Sequence, residues 1–381
     1  MTSFLAKHIV KLRTSPSLHP CYHTAARNMT TTNDEATRLE EAAARLSKHY
    51  HSAGARTSAA EERERARTSS GSMMGGLAAP LLEQMGLLSS SSSAAAAAAV
   101  HDVTGSPSQP QKQPSIRLLD SACGPGVFTR EVQGALGRTA EGREVLARSR
   151  FVCADSSPGM VEAARRRMEE EEWVNAEARV ADAMDTGLPD DAFTHVAITL
   201  GLHLIPQPDA VLADVKRVLR HGGMFGATTF PASNADKFWF ADLREAFASM
   251  PFEAPLPARM PMQVHGSGRW YDAGWVEEHL TTTTQQQQGT FRDVRVRVVP
   301  GRYRVESPTA WLRTFGGMLS WVTGAWWPEE LRAEHGEEEV RGLVRRFLEE
   351  KYGDVEEGWD VEWEVICMTA VVDKGQQMGD A

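Results

Sequence analysis

Cysteine is scarce in this chain: Cys21, Cys123, Cys153 and Cys367 are all there are, and no two form a Cys-x-x-Cys pair. That spacing excludes a disulfide framework, gives no metal-site signal and suits a reducing compartment. An excess of basic residues is missing too. With 41 Lys and Arg against 51 Asp and Glu, the formal net charge is −10, which argues against a surface built for nucleic-acid phosphates. No apolar run reaches the roughly 18 residues that a membrane-spanning helix needs, so integral membrane association is not expected. What the chain does have is 41% hydrophobic residues over 381 positions, enough for one large or two ordinary globular domains.

Acidic residues are absent from positions 1–33, which carry Lys7, Lys11, Arg13 and Arg27. Leu5, Ile9 and Leu12 share one helical face opposite Lys7 and Lys11, the pattern of a mitochondrial transit peptide. A disordered tail, or a start at Met29, reads the same residues differently, so the expected location is cytoplasmic unless this segment is a transit peptide. Residues 34–88 read as an N-terminal helical cap, with helices near 34–50 and 75–85. Residues 89–115 turn Ser-rich, Ala-rich and then Pro/Gln-rich, a composition too poor in apolar surface to offset ordering entropy, and are expected to be a disordered insertion.

The chain is organised around 116–129, Ile-Arg-Leu-Leu-Asp-Ser-Ala-Cys-Gly-Pro-Gly-Val-Phe-Thr. A short apolar run ends in Asp120, Gly124 and Gly126 follow, and a helix can start at Val127: strand, tight loop, helix. Glycines there let backbone N–H groups and the helix N-terminus approach a ligand. A dinucleotide loop wants a third glycine at position 129, which is Thr, and that weakens a nicotinamide-dependent oxidoreductase reading. A second buried strand, 150–155, ends in Asp155, followed by Ser156-Ser157-Pro158-Gly159-Met160 and a helix from Val161 to Arg167. A carboxylate at such a strand tip can accept both hydroxyls of a ribose. A third strand, 176–180, leads to Asp182-Ala183. A fourth, 193–200, leads to His203, and a helix from Ala210 to Leu219 then ends at the turn Gly222-Gly223 before a fifth strand, 224–230. The helix after the organising loop is expected from Glu131 to Leu146, broken around Gly142.

Leu119-Asp120-Ser121-Ala122-Cys123-Gly124-Pro125-Gly126 resembles the first motif of class I S-adenosylmethionine-dependent methyltransferases, closest to the fungal small-molecule group with an acidic-x-Ala-Cys-Gly-x-Gly loop. Ala122 stands where the commoner pattern has glycine. Asp155 with Ser-Pro-Gly-Met, Asp182-Ala183 and the later Arg-Val-Leu-Arg-x-Gly-Gly stretch extend the resemblance over 116–230. It implies a Rossmann-like α/β fold: a seven-stranded, mostly parallel sheet with helices on both faces, an N-terminal helical cap and, within a domain spanning 116–375, a C-terminal aromatic-rich helical insertion. It implies S-adenosyl-L-methionine as cofactor, contacted by Asp120, Ala122, Gly124, Gly126, Asp155, Met160, Asp182, Ala183 and Leu200. Asp155 would hold the ribose, and Asp182 with the Ala183 N–H would meet the adenine edge.

The last two strands are expected at 291–298 and 361–372, antiparallel at one edge, with 281–288 as a low-complexity loop. Helices are expected from Lys237, over 271–280 and from Ser307. On the last of these Trp311, Phe315, Met318 and Val322 share a face that packs on the sheet or walls an acceptor pocket. Methyl transfer needs mainly alignment and exclusion of water, so catalytic residues leave little trace. His203 is the candidate for proton handling or substrate orientation; His265 and Tyr271 rank below it. The expected partner is a small molecule, lipid-like or aromatic, and no metal is implied. A mitochondrial ubiquinone-type C-methyltransferase and a catalytically silent cofactor-binding subunit remain open alternatives.

Overall fold

A computed structural model describes residues 73–87, 115–282, 289–353 and 358–375, all within one compact unit, Leu39–Ala381. The expectations for 1–33, for the helix at 34–50, for 89–114 and for most of 281–288 lie outside the described residues.

Apolar runs too short for helices become the inner strands. β1 (Arg117–Ser121), β2 (Arg150–Asp155), β4 (Phe193–Thr199) and β5 (Leu219–Thr229) bury most of their residues on both faces, as parallel strands between helical layers must. With β3 (Ala176–Val180), β6 (Thr290–Val305) and β7 (Trp359–Asp373) they form one seven-stranded sheet in the order β3-β2-β1-β4-β5-β7-β6. The first five strands run parallel, while β7 pairs antiparallel with both β5 and β6.

Alternation along each strand sorts the core into two faces. Leu118, Phe151 and Ala197 point to one face, where α1 (Met73–Gln84) and α2 (Val127–Gly137) bury Leu81, Met85, Phe128 and Val132 against them. Leu119, Val152 and Val196 point to the other, under α5 (Pro208–Val218) and α7 (Ala273–Thr282) with Trp270 at the centre. Between these come α3 (Ala140–Ala147), which follows α2, and α4 (Pro158–Glu170), which links β2 to β3.

A third cluster is aromatic. It joins α6 (Phe238–Ala248), α8 (Pro308–Trp326) and α10 (Glu337–Tyr352) to Val305, Trp359, Val361 and Trp363 of the β6–β7 ribbon, with the short α9 (Glu329–Glu334) between α8 and α10. Trp311, Phe315 and Val322 are buried in it as their spacing predicts. Neither α9 nor α10 was anticipated from the sequence.

Two local expectations are corrected. The break in the helix after the loop falls at Arg138–Thr139, not around Gly142, because the Thr139 hydroxyl accepts the Gly142 N–H (3.0 Å) and starts α3. Gly222-Gly223 lies within β5: Leu219 already pairs with Phe193, and Met224 resumes opposite His195, so 220–223 bulge out, with Gly222 at φ +73°. Of the N-terminal cap expected over 34–88, the described residues hold α1 and the turn after it. The C-terminal half of α1 rests on the sheet face, where the Gln84 amide donates to Thr369 Oγ1 and the Arg295 carbonyl (both 3.0 Å), while Met73 and Leu77 near its start pack into the aromatic cluster.

At the outer edge, β6 carries Arg292, Arg295, Arg297, Arg302 and Arg304, all exposed, together with Pro300. No helix among the described residues is long and apolar enough to cross a membrane.

Candidate functional site

The loop after β1 is built by backbone bonds. Ala122 leaves the strand at φ +52°, Cys123 N–H donates to the Ala154 carbonyl (3.0 Å), and Gly126 N–H donates to the Cys123 carbonyl (3.0 Å), closing the turn. Gly126, at φ +77°, is the N-cap of α2 and brings no side chain to it. A Cβ there would sit 3.1 Å from the Trp173 ring, so both its dihedral and its packing require glycine. Gly124, at φ +53°, has open space where a Cβ would be.

Asp155, at the tip of β2, braces this loop. Its Oδ2 accepts the Gly124 N–H and its Oδ1 the Ser157 N–H, both at 2.8 Å, which leaves each oxygen a lone pair for a hydroxyl. Ser157 caps α4 by accepting the Met160 N–H (3.4 Å), and Pro158 opens the helix.

Asp120 lies beneath the loop, fully buried. It shares the face of Leu118, two residues earlier, and so points at α2, where its Oδ2 accepts the Thr129 N–H (3.2 Å) and the Thr129 hydroxyl (2.9 Å). It thus supplies the acceptor that Gly126 cannot. Its Oδ1 is buried and unpartnered. Burial pushes its pKa up to about 7, against the two Thr129 hydrogen bonds and with a smaller push from the nearby Asp155 charge.

Ala181 N–H donates to the Asp155 carbonyl (3.0 Å), which carries the chain from β3 to Asp182 and Ala183. Asp182 is exposed and accepts the Met184 N–H (2.9 Å), whereas Ala183 is buried in one cluster with Leu202, Ile198 and the flanking Ala122. Beyond β4, Leu200 sits at φ +54° with its N–H bonded to the Thr228 carbonyl (3.0 Å). Gly201 follows, and a Cβ on it would lie 2.7 Å from Ile198 Cγ2 and 3.4 Å from the Ala122 Cβ.

The predicted residues therefore share the carboxyl edge of one parallel sheet. Gly124 and Asp155 are bonded directly, Asp120 feels the Asp155 charge, and Ala122, Ala183 and the turn after Leu200 pack together. Asp182 and Met160 are tied within their own turns. Thr129 was missed as a partner: the sequence shows it only as the residue that breaks a dinucleotide pattern. Cys153, whose Sγ donates to Thr129 Oγ1 (3.3 Å), was likewise missed.

His203 is buried, edge-on to Phe230 (centroids 5.5 Å apart), with Nδ1 unpartnered. Burial, with a smaller push from His265, lowers its pKa to about 3. His265 donates from Nε2 to the Leu202 carbonyl (2.9 Å) and accepts the Ser267 N–H at Nδ1 (3.2 Å), so both its nitrogens are engaged. Tyr271 is partly exposed, and its carbonyl accepts the Ala232 N–H.

An open α/β sheet with carboxylates and free backbone space at its switch point defines a crevice for a nucleoside-type cofactor. The donor set fits S-adenosylmethionine on three counts: an orphaned carboxylate oxygen for an ammonium, a two-oxygen acceptor for a diol, and open space above Gly124. The family model described as a methyltransferase domain matches residues 118–223. Methyltransferase ktnA of Aspergillus niger is 31% identical over 252 residues, covering 61% of this chain and 77% of its own. Methyltransferase tpcH of Aspergillus fumigatus is 28% identical over 66% of this chain and 83% of its own. The acetylaranotin bis-thiomethyltransferase of Aspergillus terreus is 26% identical over 66% of this chain and 81% of its own. The chain belongs to the class I S-adenosylmethionine-dependent methyltransferases, and S-adenosylmethionine is its cofactor.

Proposed function

We propose that this enzyme methylates a small aromatic or lipid-like metabolite by in-line displacement. The observation that carries the reading is the aromatic helical cluster, against which Leu200, Leu204 and Phe230, at the tips of β4 and β5, are packed. A wall of that kind favours an apolar acceptor and keeps water away from the reacting atoms.

The bound cofactor supplies an electrophilic methyl group on a sulfonium. The residues of this chain then have four tasks. Asp155 accepts the ribose hydroxyls with the lone pairs its backbone donors leave free. Asp182 and the Ala183 N–H meet the adenine edge, as the resemblance implies. Asp120 turns its unpartnered Oδ1 to the ammonium. Ala122, Gly124, Gly126, Met160 and Leu200 shape the surface between them.

The acetylaranotin relative is named for methylation at sulfur, so thiols belong among the acceptors tested. The experiment is incubation of the purified full chain with methyl-labelled S-adenosylmethionine and a metabolite extract, followed by organic extraction. Label in an extractable apolar compound is the expected result. Label only in water-soluble amines or macromolecules would overturn the acceptor class.

A further inference from the structure

Four features meet at the tips of β4 and β5, on the side of the β1 loop away from Asp155 and Asp182. The first is the bare Nδ1 of His203. A buried polar atom left unpaired is destabilising, and nearly all such atoms in native proteins find partners. The second is a chain of rings leading away from that imidazole: His203 to Phe230 at 5.5 Å, Phe230 to Phe238 at 5.7 Å, and Phe238 to Phe315 at 5.5 Å.

The third is backbone strain. Phe238, the first residue of α6, has φ +61°, a left-handed conformation that strains a bulky residue and that clusters at ligand sites. The fourth is the bracing that holds Phe238 there. In the turn before it, Asn234 pairs twice with the Glu364 backbone, its Nδ2 donating to the carbonyl (2.8 Å) and its Oδ1 accepting the N–H (3.0 Å). Lys237 adds an ion pair to the Glu364 carboxylate (3.3 Å).

We propose that His203, Phe230 and Phe238 form the acceptor subsite, in which an aromatic ring lies against the two phenylalanines and its hydroxyl donates a hydrogen bond to His203 Nδ1. This rests on the methyl-transfer reading and narrows its acceptor to aromatic hydroxyl compounds. With its proton on Nε2, the neutral imidazole offers at Nδ1 the lone pair that such a hydroxyl needs, and a methyl ether, which has lost its donor, gains nothing from it. The subsite therefore distinguishes acceptor from methylated product.

The test uses the full chain saturated with S-adenosylhomocysteine and titrated calorimetrically with 2-naphthol and with 2-methoxynaphthalene. We expect naphthol to bind at least about tenfold more tightly than its ether, in line with one buried hydrogen bond. His203→Phe should abolish that preference, His203→Gln, which retains an acceptor atom, should restore most of it, and Phe238→Ala should weaken both probes together. Equal binding of the two probes, no binding of naphthol at millimolar concentration, or a preference that survives His203→Phe overturns the subsite. Absence of S-adenosylhomocysteine binding instead overturns the reading beneath it, so the two failures are distinct.

Discussion

The rim of the sheet over β1, β2 and β3 is polar and tied together by backbone bonds; the rim over β4 and β5 is aromatic and held by packing. In the first, one carboxylate, Asp155, spans two turns through the Gly124 and Ser157 N–H groups. In the second, Leu200, Leu204 and Phe230 lean on helices that arrive from more than a hundred residues away in some cases. The polar rim, where we place the cofactor, is thus written in short local motifs, whereas the aromatic rim, the acceptor wall we propose, is assembled from distant segments.

The sharpest way to break this contrast is to damage the second region and look for an effect in the first. Trp311→Ala removes a fully buried ring from the aromatic cluster and should cost about 3–5 kcal/mol in urea unfolding. The folded protein should nonetheless keep its S-adenosylhomocysteine affinity within about twofold, as expected of distant independent sites. A parallel loss of affinity would show that the two rims are one cooperative unit. Asp155→Ala is the converse. Loss of hydrogen bonds to a charged acceptor, worth about 1.5–3 kcal/mol each, should weaken S-adenosylmethionine binding about tenfold or more in calorimetry. Unchanged affinity in a folded variant would remove Asp155 from the ribose site.

The pH dependence of Asp120 comes next. Its folded pKa, about 7, lies above the ordinary value of 3.8, so the folded chain holds a proton that the unfolded chain releases between those limits. Its contribution to stability is full below about pH 4 and is lost as pH rises toward 7, with a slope of at most about 1.4 kcal/mol per pH unit. Asp120→Asn should therefore gain on the wild type as pH rises from 5 to 7.5 in denaturant titrations, and a constant difference would refute the buried proton. The smallest effect is expected at Ala122. A left-handed alanine costs about 1–2 kcal/mol, and glycine returns about 0.5–1 kcal/mol of that as lost entropy. Ala122→Gly should raise stability by about 0.5 kcal/mol, seen as a small increase in melting temperature.

Much of the polar rim was legible in the sequence because its signals are local. β2 and β3 fall at 150–155 and 176–180 as read, each ending where an acidic residue follows or closes the strand. The orientation of Asp120 was legible only in principle. Strand alternation puts it on the face of Leu118, toward α2, yet which face α2 covers depends on the three-dimensional arrangement. The break at Thr139 was misassigned because a capping hydroxyl outweighed a glycine. The helices α9 and α10 were overlooked, although α10 buries Val340, Val344 and Leu348 at helical spacing, because its flanking charges obscure a narrow apolar stripe. His203 could be singled out from sequence, but its companions Phe230 and Phe238 could not, since their rings meet only after two elements fold together.

The arginine row along β6 has a consequence for how copies of this molecule behave when crowded. An open strand margin invites another chain to zip onto it, and a long, flat one seeds fibrils. Here Arg292, Arg302 and Arg304 pair with Asp293, Glu362 and Asp360, and Arg297 with Glu83, so a second copy approaching ladder to ladder would have to desolvate a row of charged pairs, and Pro300 offers no amide to the seam. Charged pairs and a missing amide thus guard β6, the longer of the two terminal strands among the described residues.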